Sequence, residues 1–428
     1  MSGPKTSRYT LTAEQRRILA EQRRNERRKA VATEKLRKFS KRLLEIGGGF
    51  TSEQKISSEL HSRTGTDGGF GEKYDTLQRI ITANSGIISE VDMNDPDMLE
   101  NTVSLVGADL TKAEELANEL GIISEANSVA LRTQLNTAID RGFDTSFADI
   151  RIETELDSQK RELRQQLENY IQNDTLPEVY INDVSDVLNR IESISDLGYL
   201  KNFASLSVQP LMKNCNKFLS EHEQYHETFD ELYTEYTALC DLYGYVKQEY
   251  FCSAESVDIL KTEIQRIQEA MAEDDEQSYI SDCVDEVMEE MGYSVLGSRE
   301  VTKKNGKRFR NELYEYGEGT AVNVTYSSDG RIAMELGGTD TADRLPDAGE
   351  TAVLCDAMES FCDDFREIEK RLAAKGVVLS ERISLLPPEA EYAQIINTSD
   401  YKLEQQAENF RVERHRHSVK ENKTMKLE

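Results

Sequence analysis

The sequence predicts a mostly α protein: an elongated helical body, a long heptad-patterned helical hairpin, and a small C-terminal α+β domain with a helix on an antiparallel sheet. Three observations predict it. Composition comes first, with 31% charged against 38% hydrophobic residues, seven prolines and no tryptophan, a balance typical of long helices rather than of a compact enzyme. The second is a seven-residue repeat. Leu211, Cys215, Phe218, His222, Tyr225, Phe229, Leu232, Tyr236, Leu239, Tyr243, Val246 and Tyr250 follow one another in alternating steps of four and three. That spacing lays one stripe along a helix so that it can pack on another. Third, beyond Ser281 the pattern shifts to short runs rich in β-branched and aromatic residues.

Taken in order, residues 1–46 read as a basic helical arm, opened by a capping box at Thr12 and Gln15, with Leu36, Phe39, Leu43 and Ile46 as its late apolar seam. Gly47-Gly48-Gly49 ends that helix, and residues 47–71 read as a glycine-containing linker whose second cluster, Thr64 to Gly71, is a flexible connection. Residues 72–200 form a helical body: one helix starts at Asp95-Pro96, another spans Ser124 to Ile139, and a longer one runs from Phe147 to Tyr170. Residues 201–274 are the hairpin. Its seam uses Phe218, Tyr225, Phe229, Leu232, Tyr236, Leu239 and Tyr243, and a return helix carries Val257, Leu260, Ile264, Ile267 and Met271. Two seamed helices joined by a short connection predict an antiparallel pair. At about 1.5 Å per residue the first is about 60 Å long.

The α+β domain is placed at residues 275–388. A helix ends at Gly292, four strands follow (Tyr293–Leu296, Leu313–Tyr316, Ala321–Tyr326, Arg331–Leu336), and Ser327 to Gly330 make a hairpin turn. A helix from about Glu350 to Lys375 presents Val353, Leu354, Met358, Phe361, Phe365, Ile368 and Leu372 to the sheet. Gly376 closes it, and Val377–Leu379 add an edge strand. Residues 389–428 read as a loose polar tail with Arg411, Arg414, His415, Arg416 and His417.

Charge is unevenly spread. Residues 1–45 hold 14 Lys/Arg against 5 Asp/Glu, which leaves −37 on the remainder of a chain whose net charge is −28. An acidic body repels nucleic-acid backbones, whereas a basic arm can bind an acidic surface or phosphates. Arg16, Arg17, Arg23, Arg24, Arg27, Arg28 and Lys29 are the candidate partner-binding residues; no aromatic is interleaved with them, so base stacking is not supported. No apolar run approaches the eighteen or so residues of a membrane span, and the N-terminal residues have no apolar signal core, so the expected location is cytoplasmic. The six cysteines include no CxxC pair and read as reduced thiols.

Among catalytic signatures, His222-Glu223-Gln224-Tyr225-His226 matches HExxH, in which two imidazoles on one helical face hold zinc and the glutamate is general base. Gln224 stands where working zinc-protease helices carry an apolar residue, Glu227 follows the second histidine, and His222 lies on the heptad seam. Zinc at His222 and His226 with Glu223 as base is therefore the alternative reading, and no cofactor is the favoured one. A P-loop is excluded, because Glu72-Lys73 follows Gly71 with no Ser or Thr after the lysine. The succession of helix, Met291-Gly292-Tyr293, strand and hairpin resembles the opening of Mrr-type restriction endonuclease domains. That resemblance implies an Asp and then Glu-x-Lys holding magnesium. The matching strand, Ala333 to Gly337, has Glu335 but no lysine two residues on, so it is a shared local topology over some fifty residues.

The function expected from these features is that of a non-enzymatic scaffold or adaptor. Its partners are other proteins, a second copy of the chain included, with nucleic acid the weaker candidate and no membrane.

Overall fold

The computed structural model describes residues 4–64, 67–139, 155–302, 308–327 and 330–403. In chain order the elements are β1 (Lys5–Leu11), α1 (Ala13–Gly48), α2 (Thr51–Thr64), α3 (Phe70–Glu90), α4 (Pro96–Ile139), α5 (Glu155–Ile171), α6 (Glu178–Ser193), α7 (Leu197–Phe203), α8 (Gln209–Tyr243) and α9 (Ala254–Glu290). They continue with β2 (Val295–Thr302), β3 (Arg308–Gly317), β4 (Thr320–Ser327), β5 (Arg331–Asp340), α10 (Ala348–Ala374), β6 (Val377–Leu385), β7 (Ile395–Asn397) and β8 (Lys402–Leu403). The chain is mostly α with an antiparallel sheet domain, as its sequence predicts. Two compact units divide inside α1, between Asn25 and Glu26, and inside α9, between Ile267 and Gln268. No described helix is long and apolar enough to cross a membrane.

The sheet unit combines residues 1–25 with 268–428. Among the described residues its strands lie in the order β6-β1-β5-β4-β3-β2-β8, with β7 parallel to the far end of β5. The N-terminal residues are thus not all helical arm, as expected from sequence. Lys5 to Leu11 form a strand paired to β5 on one side and β6 on the other. Alternation puts Lys5, Ser7, Tyr9 and Leu11 on the buried face. Against this face pack α10, through Leu354, Met358, Phe361, Phe365, Ile368 and Leu372, and the C-terminal half of α9, through Ile280, Cys283, Val284, Val287 and Met288. Val353, expected on this face, is exposed instead, because the apolar stripe of α10 begins one residue later.

The opposite face carries a small second core of Leu313, Ala321, Ile396 and Tyr401. It is covered by residues 390–403, which sequence assigned to the loose tail. A Cβ on Gly337 would lie 2.9 Å from Gln394 O, and one on Gly338 would lie 2.7 Å from Ile395 Cδ1, so the paired glycines let this segment approach. The basic residues Arg411 to His417 lie outside the described residues. β6 ends the sheet, and its two register shifts against β1 are the bulges that discourage pairing along an open edge.

The corner from β1 into α1 is tight. Thr12 Oγ1 accepts from Gln15 N at 3.3 Å, but Thr12 N donates to Gly376 O at 2.8 Å, so only half of the expected capping box forms. Gly376 has φ +83°, and an added Cβ would lie 3.1 Å from Thr12 Oγ1. Gly376→Ala is expected to cost about 1–2 kcal/mol through this left-handed backbone, read as a lowered unfolding midpoint in urea.

The helical unit spans residues 26–267. In α4, Leu99, Val106, Ala113 and Leu120 are spaced by sevens and fully buried, a second heptad stripe. Asp95 caps this helix, accepting from Asp97 N and Met98 N at 2.9 and 3.1 Å. It runs unbroken through Ser124, where sequence predicts a second helix, because nothing between is a proline. The expected linker 47–71 is mostly α2, with Leu60 and Ser57 buried. At its end Asp67 accepts from Gly69 N and Gly71 N at 3.0 and 2.9 Å, so a side chain organises the glycine cluster into the start of α3. The expected helix from Phe147 appears from Glu155; residues 147–154 lie outside the described residues.

The heptad rod is present, and α8 is preceded without a break by a π turn at Ala204–Val208 and by α7. Gly244, at φ +76°, ends it, so Val246 and Tyr250 leave the seam. The connection is where the hairpin differs from an antiparallel pair. Residues 245–253 double back along α8: Gln248 N donates to Tyr236 Oη at 3.1 Å, and the Tyr250 ring meets Tyr236 edge-on at 5.7 Å. The Arg266 guanidinium then lies 5.9 Å over Tyr245, so α9 runs alongside α8 in the same sense. α9 itself continues to Glu290, past the expected boundary at 274/275, because residues 272–280 contain neither glycine nor proline.

Candidate functional site

The basic residues of α1 are largely matched by carboxylates of the same unit. Arg16 reaches Glu276 at 3.3 Å, Arg17 Glu14 at 3.0 Å, and Arg23 Asp275 at 3.3 Å. Arg27 pairs with Glu235, and Arg28 lies 2.6 Å from both Asp97 and Glu100, which raises its pKa. Arg24 and Lys29 have no ion pair among the described residues, and Arg24 is exposed. The acidic surface that the sequence assigned to a partner is thus supplied in large part by the chain itself.

Seam residues Phe218, Phe229, Tyr236 and Leu239 are buried, while Tyr225, Leu232 and Tyr243 are half-buried. The N-terminal half of α8 packs with α5, α6 and α7 around Leu167, Val184, Ile191 and Leu200. This is where the HExxH motif falls. The rings of His222 and His226 stack at 5.2 Å, and His222 also faces Phe218 at 6.0 Å. His226 Nδ1 lies 3.1 Å from the His222 carbonyl, occupied by its own helix. Burial, then the neighbouring His226, lowers the His222 pKa. Glu223 is exposed, and no group of three or more His, Cys, Asp or Glu side chains among the described residues is placed to hold a metal ion. Two stacked imidazoles with no third ligand among the described residues fit helix packing better than a zinc centre. Replacing both by alanine is expected to leave the zinc content of the purified protein unchanged, measured by atomic emission.

Glu335, the carboxylate of the nuclease-like strand, faces residues 390–403, with Gln394 Nε2 at 3.4 Å. The concentration of buried charge lies on the other face. Alternation along β3 brings Arg310, Glu312 and Tyr314 to the side covered by α9, and β4 adds Tyr326. Tyr314 Oη donates at 2.6 Å to Asp285 Oδ1 of α9 and lies 2.8 Å from Glu312 Oε2; Tyr326 Oη donates to the same Asp285 oxygen at 2.8 Å. Arg310 lies 3.4 Å from Glu312 and 3.8 Å from Asp285, stacks 4.4 Å over Tyr326, and donates to Ser281 Oγ.

Burial, followed by repulsion from Glu312 and a hydrogen bond to it, pushes the Asp285 carboxyl up to about 8. Asp285 therefore keeps its proton at neutral pH, with the two phenols donating to it and the Arg310 guanidinium beside it. Such a group stores a proton and ties α9 to the sheet. The Arg-x-Glu-x-Tyr alternation was visible in the sequence, but Asp285 lies a helix away, and only the fold joins them.

A second buried cation lies under β1. Lys5 is 1% exposed, and its Nζ, 4.4 Å from the centre of the Phe361 ring, has no hydrogen-bond partner. Burial lowers its pKa to about 8. Beside it Arg382 donates to Ser7 Oγ at 2.7 Å and to Glu369 Oε1 at 2.5 Å, and Tyr9 donates to the same Glu369 oxygen at 3.2 Å.

The helical unit also leaves large apolar side chains in solvent, several of them one heptad apart: Met98 and Leu105, Ile122 and Val129 on α4, and Tyr199 and Leu206 across α7 and the π turn. Seven residues is about two helical turns, so on α4 each pair shares a face. Compared with known proteins, the chain matches no family model, no curated protein and no solved structure.

Proposed function

We propose that the chain is a non-enzymatic scaffold or adaptor that holds other proteins through its helical unit. The observation that supports this is the set of heptad-spaced exposed pairs beside already buried stripes: Ile122 is 71% exposed and Leu206 79%, on helices whose other faces are packed. Apolar residues at this spacing offer a partner helix a seam about two turns long. Full-length protein is isolated from its native cells with and without nuclease, and its partners are identified by mass spectrometry. A set of proteins that survives nuclease and is lost on Ile122→Asp/Val129→Asp or Tyr199→Asp/Leu206→Asp is the expected result. Partners lost on nuclease treatment point to nucleic acid instead, and a bare monomer with measurable turnover overturns the reading.

A further inference from the structure

The loop between β5 and α10 presents an apolar side chain while being fixed by polar ones. Arg344 makes a two-pronged pair with Glu350, at 2.7 and 2.6 Å, and its Nε donates to Asp340. The capping box of α10 closes the other end, with Glu350 N to Asp347 Oδ1 and Asp347 N to Glu350 Oε2 both at 2.8 Å. From the C-terminal segment, Asn397 donates to Asp343 Oδ1 at 3.0 Å, Thr398 to Asp340 O at 3.0 Å and Ser399 to Thr341 O at 2.9 Å. Among these anchored residues Leu345 is 86% exposed, and Val353, in the second turn of α10, is 61% exposed.

A hydrophobic staple would use the residue directly before the N-cap Asp347, which is Pro346; Leu345 stands one residue earlier. Here Leu345 is held away from its own core. A side chain on a fixed loop loses little freedom on binding, so its burial translates into affinity more fully than that of a mobile one. The surroundings decide what could cover it. Residues 340–359 contain six carboxylates (Asp340, Asp343, Asp347, Glu350, Asp356, Glu359) and one cation, Arg344. Such a surface repels nucleic acid and anionic lipid, and it repels the acidic body of a second copy.

We propose that Leu345 is a docking knob for a heterologous protein that offers an apolar pocket rimmed by lysine and arginine. The inference rests on the adaptor reading and assigns it a second contact, on the sheet unit. The test places a benzoylphenylalanine photo-crosslinker at position 345 of the full chain, with Arg366 as the exposed control position on α10, in native cells.

The expected result is a discrete adduct with one protein at 345 and not at 366, with the crosslinked site beside Lys or Arg. Purified, that partner binds wild-type protein about tenfold or more tightly than Leu345→Ser, and it weakens as salt is raised. Arg344→Ala, which frees the loop but keeps the leucine, weakens binding as well. No adduct, equal adducts at both positions, a second copy of the chain, an adduct lost on removing residues 404–428, or an acidic crosslinked site each overturns the proposal. If partners lost on Ile122→Asp/Val129→Asp persist while 345 gives no adduct, the knob fails and the adaptor reading stands.

Discussion

Removal of residues 1–11 is expected to unfold the sheet unit, although these residues lie more than 320 positions from their partners in β5 and more than 360 from those in β6. β1 contributes both of its hydrogen-bonded edges, to Lys5–Arg8 opposite β5 and along its whole length opposite β6. It also buries Tyr9 and Leu11 against α10 and α9. Two such side chains alone contribute about 3–6 kcal/mol, comparable with the whole stability of a typical domain of about 5–15 kcal/mol. Hydrogen exchange read by mass spectrometry checks this. Amides of β5 and β6 lose protection in the truncated chain, those of α3 and α4 in the helical unit keep theirs, and a synthetic peptide of residues 1–11 restores the sheet. Undiminished protection of β6 after truncation would show that the sheet closes without β1.

The second large effect is a trough in the stability of the sheet unit near pH 8. Asp285 is raised from a usual value near 3.8 to about 8 in the fold. Between these values the folded chain keeps a proton that the unfolded chain has released. The contribution of this group is therefore full below about pH 4 and is lost as pH rises to about 8. Lys5 has the opposite sign. Its folded pKa of about 8 lies below the usual 10.5, so the unfolded chain binds more protons above pH 8 and stability recovers in that range. Besides burial, Glu312 raises the Asp285 pKa while Arg310 and Tyr314 lower it, and Cys362 and Glu369 raise the Lys5 pKa while Arg382 lowers it.

Urea unfolding across pH 5–10, followed by exchange protection of β3, β4 and β6, measures the trough. Asp285→Asn keeps an oxygen for both phenols and is expected to remove the descending limb, leaving the variant more stable than wild type at pH 8. Lys5→Met removes an unpartnered buried amine; it is expected to raise stability at pH 7 and to abolish the recovery above pH 8. A wild-type profile that is flat from pH 5 to 8 would mean that Asp285 is not held protonated in the fold.

Local periodicity set what was legible beforehand. α10 was readable to within two residues because its core face repeats every three to four positions and Gly376 stops it. The seam of α8 was readable for the same reason up to Gly244, where one left-handed glycine ends a repeat that the letters continue to Tyr250. The amino-acid sequence by itself determined that the chain is mostly helical, roughly where the β2 to β5 meander lies, and that the basic charge gathers near the N-terminus.

Tertiary structure decided the rest, because pairing over long separations leaves no local signal. β1 was hidden since two of its four inward residues, Lys5 and Ser7, are polar, so its alternation does not read as apolar. The sense of α9 relative to α8 depends on residues 245–253 finding Tyr236, not on either helix's own pattern. Arg16, Arg23 and Arg28 look like a binding arm until Glu276, Asp275 and Glu100 are brought to them. Asp285 becomes an unusual acid only when α9 lays it against Glu312, where removal from water and a like charge together make ionisation costly.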